Sequence, residues 1–354
     1  ALAVLAVLLA ALARIATPEM ALDSIVRPDA VHFGAAAKQL ITNASLLIPT
    51  GPFQLPARTL PGASLVMCLT QWMQPQSLTA GIWAIWISSL LAAFLAYQLG
   101  KQLNARLGGI TAAFMILLSP LHAYYSRQLM SDIPWGALTL ASAFLLCSTP
   151  SRPWKAVLSG LLLGLGLLFK SSHILIAAAI LLAWALHNRF SMRACLPALA
   201  GFLVGALPAL LYNRLLLGGW MQTAYHVYWP GWASPSEALG LKYLWSAPLI
   251  KGSLGNIPYY FLSFMGLDPR PERMPMILPM VFAVLAALFL QKAPVDTPPP
   301  PARSLFRSII IWTSLFYGGA CLLYSFQDPR FFLPIAPLWL VALAMPLSRW
   351  IARW

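Results

Sequence analysis

Four polar stretches break an otherwise apolar sequence, and each holds a group that could handle a proton or an anionic oxygen. In SFQDPRFFLPIAPLWL, Asp328 and Arg330 precede an apolar run, and Pro329 and Pro334 bend the backbone around them. A guanidinium in such a mouth can grip a phosphate through two parallel hydrogen bonds. Lys170, in LFKSSH, lies between two short apolar segments. An ammonium is costly there, which marks it as a functional candidate. Arg127 and Asp132 share SPLHAYYSRQLMSDIPWG with Tyr124 and Tyr125. Asp29 opens RPDAVHFGAAAKQL, where helical spacing puts Asp29, His32 and Ala36 on one face and Phe33, Ala37, Leu40 and Ile41 on the other.

Each stretch also has a plain reading. An isolated interfacial Arg is commoner than a ligand, Lys170 could snorkel to water along its own stem, and Arg127 with Asp132 could form a local ion pair. The two tyrosines suit an interfacial aromatic belt, and a lone His such as His32 is more often structural than catalytic.

What must position these groups is a set of membrane spans. The 354 residues are 60% hydrophobic and 9% charged, with a mean hydropathy of +0.74, whereas about a quarter of a soluble domain is charged. The composition implies an all-α polytopic membrane protein of about ten transmembrane helices, with interfacial helices in the first external loop. Spans are expected at Ala1–Ala16, Thr79–Gly100, Leu107–Tyr125, Ile133–Ser148, Ala156–Phe169, Ile174–His187, Ala194–Leu217, Pro275–Leu290, Leu305–Tyr324 and Phe331–Leu347. The run GLLLGLGLLFKSSHILIAAAILLAWALHNR is too long for one span and divides at Lys170. Only about fifteen apolar residues precede TPEM where a span needs about twenty, so a truncated first span is expected.

This division puts KQLNAR, SRPWK, HNRFSMR, QKAPVDTPPPPARSLFR and SRWIARW on one side, with eleven Lys or Arg and a single acid, Asp296. By the positive-inside rule that side is cytoplasmic. The other eight carboxylates, Asp29, Asp132 and Asp328 among them, then face outward. The chain reads as a single domain, 1–354, with long external loops at 17–78 and 218–274 and a Pro-rich cytoplasmic linker at 291–304. PGASLVMCLTQWM, from Pro61 to Met73, reads as a second interfacial helix.

Several classes are excluded or disfavoured. The net charge of +14 is spread in short clusters between spans, with no basic stripe or binding motif for nucleic acid. Cys68, Cys147, Cys195 and Cys321 are far apart and lack metal-ligand spacing. A transporter would be expected to keep ionisable groups near the midplane and often to show repeated halves, and neither is evident.

In chain order, the Pro-Asp surface helix, LPARTLPGASL, YYSRQLMSD, GLLLGLGLLFKSS, LYNRLLLGGWMQTAY and DPRFFLPIAPLWL resemble the C-type superfamily of integral-membrane glycosyltransferases. The resemblance is to its bacterial branch, related to protein O-mannosyltransferases and the lipid A aminoarabinose transferase, and it runs from Asp29 to Leu340 on short, degenerate patterns. It implies a hexosyl- or pentosyltransferase of the bacterial inner membrane. Such an enzyme takes a sugar from a polyprenyl phosphate donor and passes it, at the periplasmic face and with inversion, to a hydroxyl of a lipid, glycan or protein. The first-loop acid, the general base, maps onto Asp29, and the acid of the second external turn maps onto Asp132. Inverting transfer needs a carboxylate to take the acceptor's proton and cations to stabilise the departing phosphate. The candidates for the cations are Arg330, Lys170, Arg127 and Arg58, in that order. His32, Tyr225 and Tyr228 are candidate substrate contacts, and Trp220, Trp229 and Trp232 could also stack on sugar.

Where many members carry an Asp-Glu pair and a Tyr four residues after the Asp, this chain has Asp29-Ala30 and Phe33. A hard divalent cation wants several oxygen ligands, so the expectation is no cofactor and no metal, with Asp29 plus Asp132 as the exception. PARTLPG offers only Arg58 where the family often has an acid and a Lys. The alternative functions are a non-catalytic polyprenyl-lipid binding protein, which would not need Asp29, and a membrane transporter.

Overall fold

The computed structural model describes residues 28–57, 59–75, 77, 80–148, 152–220, 222, 239–245, 255–265, 301–325 and 327–352. The expected spans Ala1–Ala16 and Pro275–Leu290 lie outside the described residues. Most of the described residues are helical. In order come α1 (Pro28–Asn43), a hairpin of β1 (Leu47–Thr50) and β2 (Phe53–Pro56), α2 (Gly62–Gln71), α3 (Ala80–Leu118), α4 (Pro120–Tyr125), α5 (Asp132–Cys147), α6 (Pro153–Leu165), α7 (His173–His187) and α8 (Met192–Leu216). Next are α9 (Asn256–Met265), α10 (Pro301–Thr313), a π-helical turn at Ser314–Gly318, α11 (Gly319–Leu323), a 3₁₀ turn at Pro329–Phe332 and α12 (Ala336–Ile351).

Among the described residues, three helical stretches, Ala80–Leu118, Met192–Leu216 and Ala302–Leu323, are long and apolar enough to cross a membrane. Along α8, Leu196, Leu199, Leu203, Leu207 and Leu211 are exposed at helical spacing. An apolar stripe of that length facing water would aggregate, whereas facing lipid it costs nothing. The long helix α3 is a hairpin: Asn104 and Ala105 leave helical geometry, with Ala105 at φ 59°. The limbs fold back so closely that a Cβ on Gly109 would lie 2.5 Å from the Tyr97 carbonyl oxygen. The expected KQLNAR turn is this reversal. Packing of α6 on α8 also depends on missing side chains, since a Cβ on Gly160 would meet the Ala198 carbonyl at 1.9 Å and one on Gly205 the Leu161 carbonyl at 2.2 Å.

Contacts between loops and helix ends define two ends of this bundle. Gln102 donates to Ser148 Oγ at 3.2 Å, and Asn104 donates to Ser348 Oγ at 2.8 Å. This gathers the KQLNAR turn and the ends of α5 and α12 at one end, while the starts of α5 and α12 lie at the other.

The first loop is built on side chains that reach into a neighbouring helix. Ser64, Cys68 and Gln71, on one face of α2, donate to the carbonyls of Phe33, Ala37 and Gly34 in α1 at 3.0, 3.6 and 3.5 Å. A helical carbonyl has a second lone pair to accept such bonds. The expected apolar stripe of α1 is only half right. Phe33 and Ala37 are buried with Ala30, but Leu40 and Ile41 are only partly buried. Ala36, expected on the Asp29 face, is buried with Ile48 of β1 and Ala57. The hairpin, with Leu47 opposite Pro56 and a tight turn at Gly51 (φ 60°), supplies that cover.

Candidate active site

Asp132 and Lys170 are brought together by two helix ends. Asp132 starts α5, where the helix dipole favours a carboxylate, and is fully buried. Lys170, in the break between α6 and α7, puts Nζ 3.2 Å from Asp132 Oδ1, with its side chain 30% exposed against 0% for the acid. Asp132 pairs with Lys170 rather than Arg127, and its Oδ2 is buried without a hydrogen-bond partner. One helical turn further on, the Trp135 indole N–H donates to Nδ1 of the buried His173. This makes a second rung of the same ladder. The Trp135 ring also lies 5.5 Å from Lys170 Nζ and packs edge-on against Tyr317 of the π-helical turn.

Asp29 and Arg330 come from opposite ends of the chain. Arg330 Nη2 donates to Asp29 Oδ2 at 3.3 Å, across 301 residues of sequence. Arg330 lies in the 3₁₀ turn Pro329–Phe332, which Asp328 caps by accepting the Arg330 backbone N–H at 2.9 Å. An Asp cap before a Pro at the first helical position is a strong local signal, because the ring presets φ where no N–H is needed. The second Asp328 oxygen makes an ion contact with Arg330 Nε at 2.9 Å. Tyr125 donates its hydroxyl to Asp328 Oδ1 at 3.5 Å, and the Asp328 N–H donates to the Tyr260 hydroxyl at 3.3 Å. Burial opposes the Arg330 charge, but Asp328, Asp132 and Asp29 outweigh it and hold its pKa above the ordinary arginine value.

Phe331 joins the two ion pairs: its ring centre lies 5.3 Å from Lys170 Nζ and 5.6 Å from the Arg330 guanidinium carbon. Two cations, paired with three carboxylates, thus flank one aromatic ring in a partly buried cluster in which charge interactions are stronger than in water.

The other sequence candidates fall variously. His32 lies on α1 one turn beyond Asp29 and is partly buried. Arg127 is in the turn between α4 and α5, its N–H donating to the Tyr124 carbonyl at 3.3 Å. Trp220 is half exposed beyond α8. Arg58, Tyr225, Tyr228, Trp229 and Trp232 lie outside the described residues. In the sequence Asp328 stands beside Arg330 with no role of its own, and Tyr125 suits an interfacial belt. The Asp-Pro-Arg order could have exposed the first, whereas nothing local marks Tyr125 or Tyr260. Among the described residues no three His, Cys, Asp or Glu side chains gather as metal ligands.

The helices that carry this cluster have solved counterparts. ArnT from Cupriavidus metallidurans, bound to undecaprenyl phosphate, superposes over 97% of this chain and 59% of its own, with a TM-score of 0.65 at 14% identity. The fold is that of the C-type membrane glycosyltransferases. The archaeal oligosaccharyltransferase AglB from Archaeoglobus fulgidus, in complex with an inhibitory peptide and a dolichol-phosphate, shares this fold at 11% identity and a TM-score of 0.57, over 99% of this chain and 50% of its own. The chain therefore spans half to three-fifths of the length of these solved structures. Residues 61–212, from α2 into α8, match the family described as dolichyl-phosphate-mannose-protein mannosyltransferase. Asp132 and Lys170 fall inside that matched segment, and Asp29 and Arg330 outside it. No curated protein matches the sequence.

Proposed function

We propose that the protein transfers a sugar from a polyprenyl phosphate donor to an acceptor hydroxyl at the outer membrane face, with inversion, and that Asp29 is the general base. The observation that carries this reading is the Asp29–Arg330 contact at 3.3 Å, beside the Lys170–Asp132 pair. It sets a carboxylate next to cations able to bear a phosphate.

In the proposed reaction Asp29 takes the proton of the acceptor hydroxyl. The acceptor oxygen bonds to the anomeric carbon on the face opposite the leaving group, and the bond from that carbon to the phosphate oxygen breaks. The polyprenyl phosphate leaves as an anion, its growing charge met by Arg330 and Lys170. Because Arg330 starts on Asp29, the donor phosphate must draw the guanidinium toward itself and away from the carboxylate. The undecaprenyl phosphate and dolichol-phosphate held by ArnT and AglB support the donor class. Lys101 and Arg106 of the KQLNAR turn and Arg349 near the end of α12, at the end away from the cluster, support the outward orientation.

We further propose that no metal takes part. Asp29 and Asp132 each already face a basic side chain, so a divalent cation would bind beside the positive charge of Arg330 or Lys170, which repels it. Transfer should then survive EDTA, and loss that magnesium, manganese or zinc restores would overturn this point.

The deciding experiment is transfer of radiolabelled sugar from a panel of polyprenyl phosphate donors in membranes carrying the full-length protein. Asp29→Asn should lower transfer by about 10²- to 10⁴-fold, the usual contribution of a general base, while leaving the protein folded. Equal transfer by both would remove Asp29 from the mechanism. Binding of undecaprenyl phosphate without transfer from any donor would point to a lipid-binding protein.

A further inference from the structure

The two carboxylates on Arg330 hold it in different ways. Asp29 reaches it by one hydrogen bond of 3.3 Å from a distant helix. Asp328 is two residues away in the same turn and is itself fixed four times: by the Arg330 N–H, by Arg330 Nε, by the Tyr125 hydroxyl and, through its backbone N–H, by the buried Tyr260. Tyr260 in turn packs edge-on against Phe332 at 5.0 Å between ring centres. Pro329 stiffens the turn between the two partners.

We infer that Asp328 is a positioning residue for the transfer reaction. Its second oxygen lies 2.9 Å from the buried Arg330 Nε, an ion contact without hydrogen-bond geometry, so it holds the guanidinium against the turn by charge and leaves the Nη groups to be shared between Asp29 and the donor phosphate. The inference rests on the transfer reading above. Arginine has five N–H donors in a rigid fork, and a fork free to turn would offer both edges to Asp29. The base would then be held in a bidentate pair that the phosphate must break. With the guanidinium drawn toward Asp328, it meets Asp29 through Nη2 at 3.3 Å, a single contact that a phosphate can replace, and Phe331 lies between this fork and Lys170.

A role confined to capping the turn predicts something different. Asn caps helix starts about as well as Asp, and its side-chain oxygen can accept the same Arg330 N–H and Tyr125 hydroxyl bonds. Asp328→Asn therefore removes the charge that holds Nε while preserving the cap.

The test is a double-mutant cycle in the full-length protein reconstituted in lipid nanodiscs, with undecaprenyl phosphate binding and sugar transfer measured on the wild type, Asp328→Asn, Arg330→Lys and the double variant. Lysine lacks the fork, so it removes what Asp328 is proposed to aim. Asp328→Asn should keep the wild-type melting temperature and lower kcat by about tenfold, and the same change should cost little more in the Arg330→Lys background, the non-additivity expected of contacting residues. Full activity in Asp328→Asn, or an equal loss in both backgrounds, would overturn the positioning role while leaving the transfer reading intact. A wild type that neither binds the lipid nor transfers sugar would overturn the transfer reading and this inference with it.

Discussion

At one end of the bundle Arg330 and Lys170 meet the carboxylates of Asp29, Asp328 and Asp132. At the other end Arg303 meets neutral acceptors, donating Nε to the Leu103 carbonyl at 2.5 Å and Nη2 to Asn104 Oδ1 at 3.4 Å, where α3 reverses. Asn104 is held in turn by Ser348 and the Met345 carbonyl. Both ends satisfy partly buried cations, but by different means. A carbonyl freed by a helix reversal needs a donor permanently, so Arg303 serves as a cap. A carboxylate paired with a cation can give that cation up to another anion and take a proton instead. The difference between a clasp and a candidate catalytic site lies in the partners, since the arginine is common to both.

Substitutions at the two ends should separate these roles. Among the substitutions of the cations and their neighbours, the largest effect is expected from Arg330→Gln, which keeps a polar side chain but removes the charge facing the donor phosphate; transfer should fall by about 10²- to 10³-fold, as when one preorganised donor to a developing anion is lost. Transfer assays on the purified protein check this, and a loss under threefold would make Arg330 a clasp like Arg303.

Next is Lys170→Met, which strands the fully buried Asp132 and should destabilise the fold by about 3–5 kcal/mol in detergent unfolding. Asp132→Asn should cost clearly less, because Lys170 keeps a path to water. Equal costs would show that solvent reaches the acid. Third, Arg303→Met leaves the Leu103 carbonyl without its donor and should cost about 1–3 kcal/mol, with transfer per folded molecule unchanged. A fall in that specific rate would couple the two ends. The smallest change is Ser348→Ala, which removes one partner of Asn104 and should cost about 1 kcal/mol in the same unfolding assay.

Much of this was legible in the sequence. The helices that reach the site follow from apolar runs, and their breaks fall at KQLNAR, at Lys170 and at HNRF, where polar residues or a helix reversal interrupt the run. The Asp328-Pro329-Arg330 turn is equally local, because a cap and its Pro lie two residues apart. The surroundings of α1 were less legible. Its helical spacing identified Phe33 and Ala37 as buried, but the hairpin that covers Ala36 is a packing event between separate segments.

The sequence by itself determined the long apolar helices and the polar residues that interrupt them, since these depend on neighbours within a few positions, but not α9 or the β1–β2 hairpin. Only the tertiary structure decided that Asp132 takes Lys170, 38 residues on, over Arg127 five residues before it, and that Asp29 meets Arg330 across 301 residues. Charges select partners by distance and desolvation, and both are set by how the helix ends assemble around Phe331.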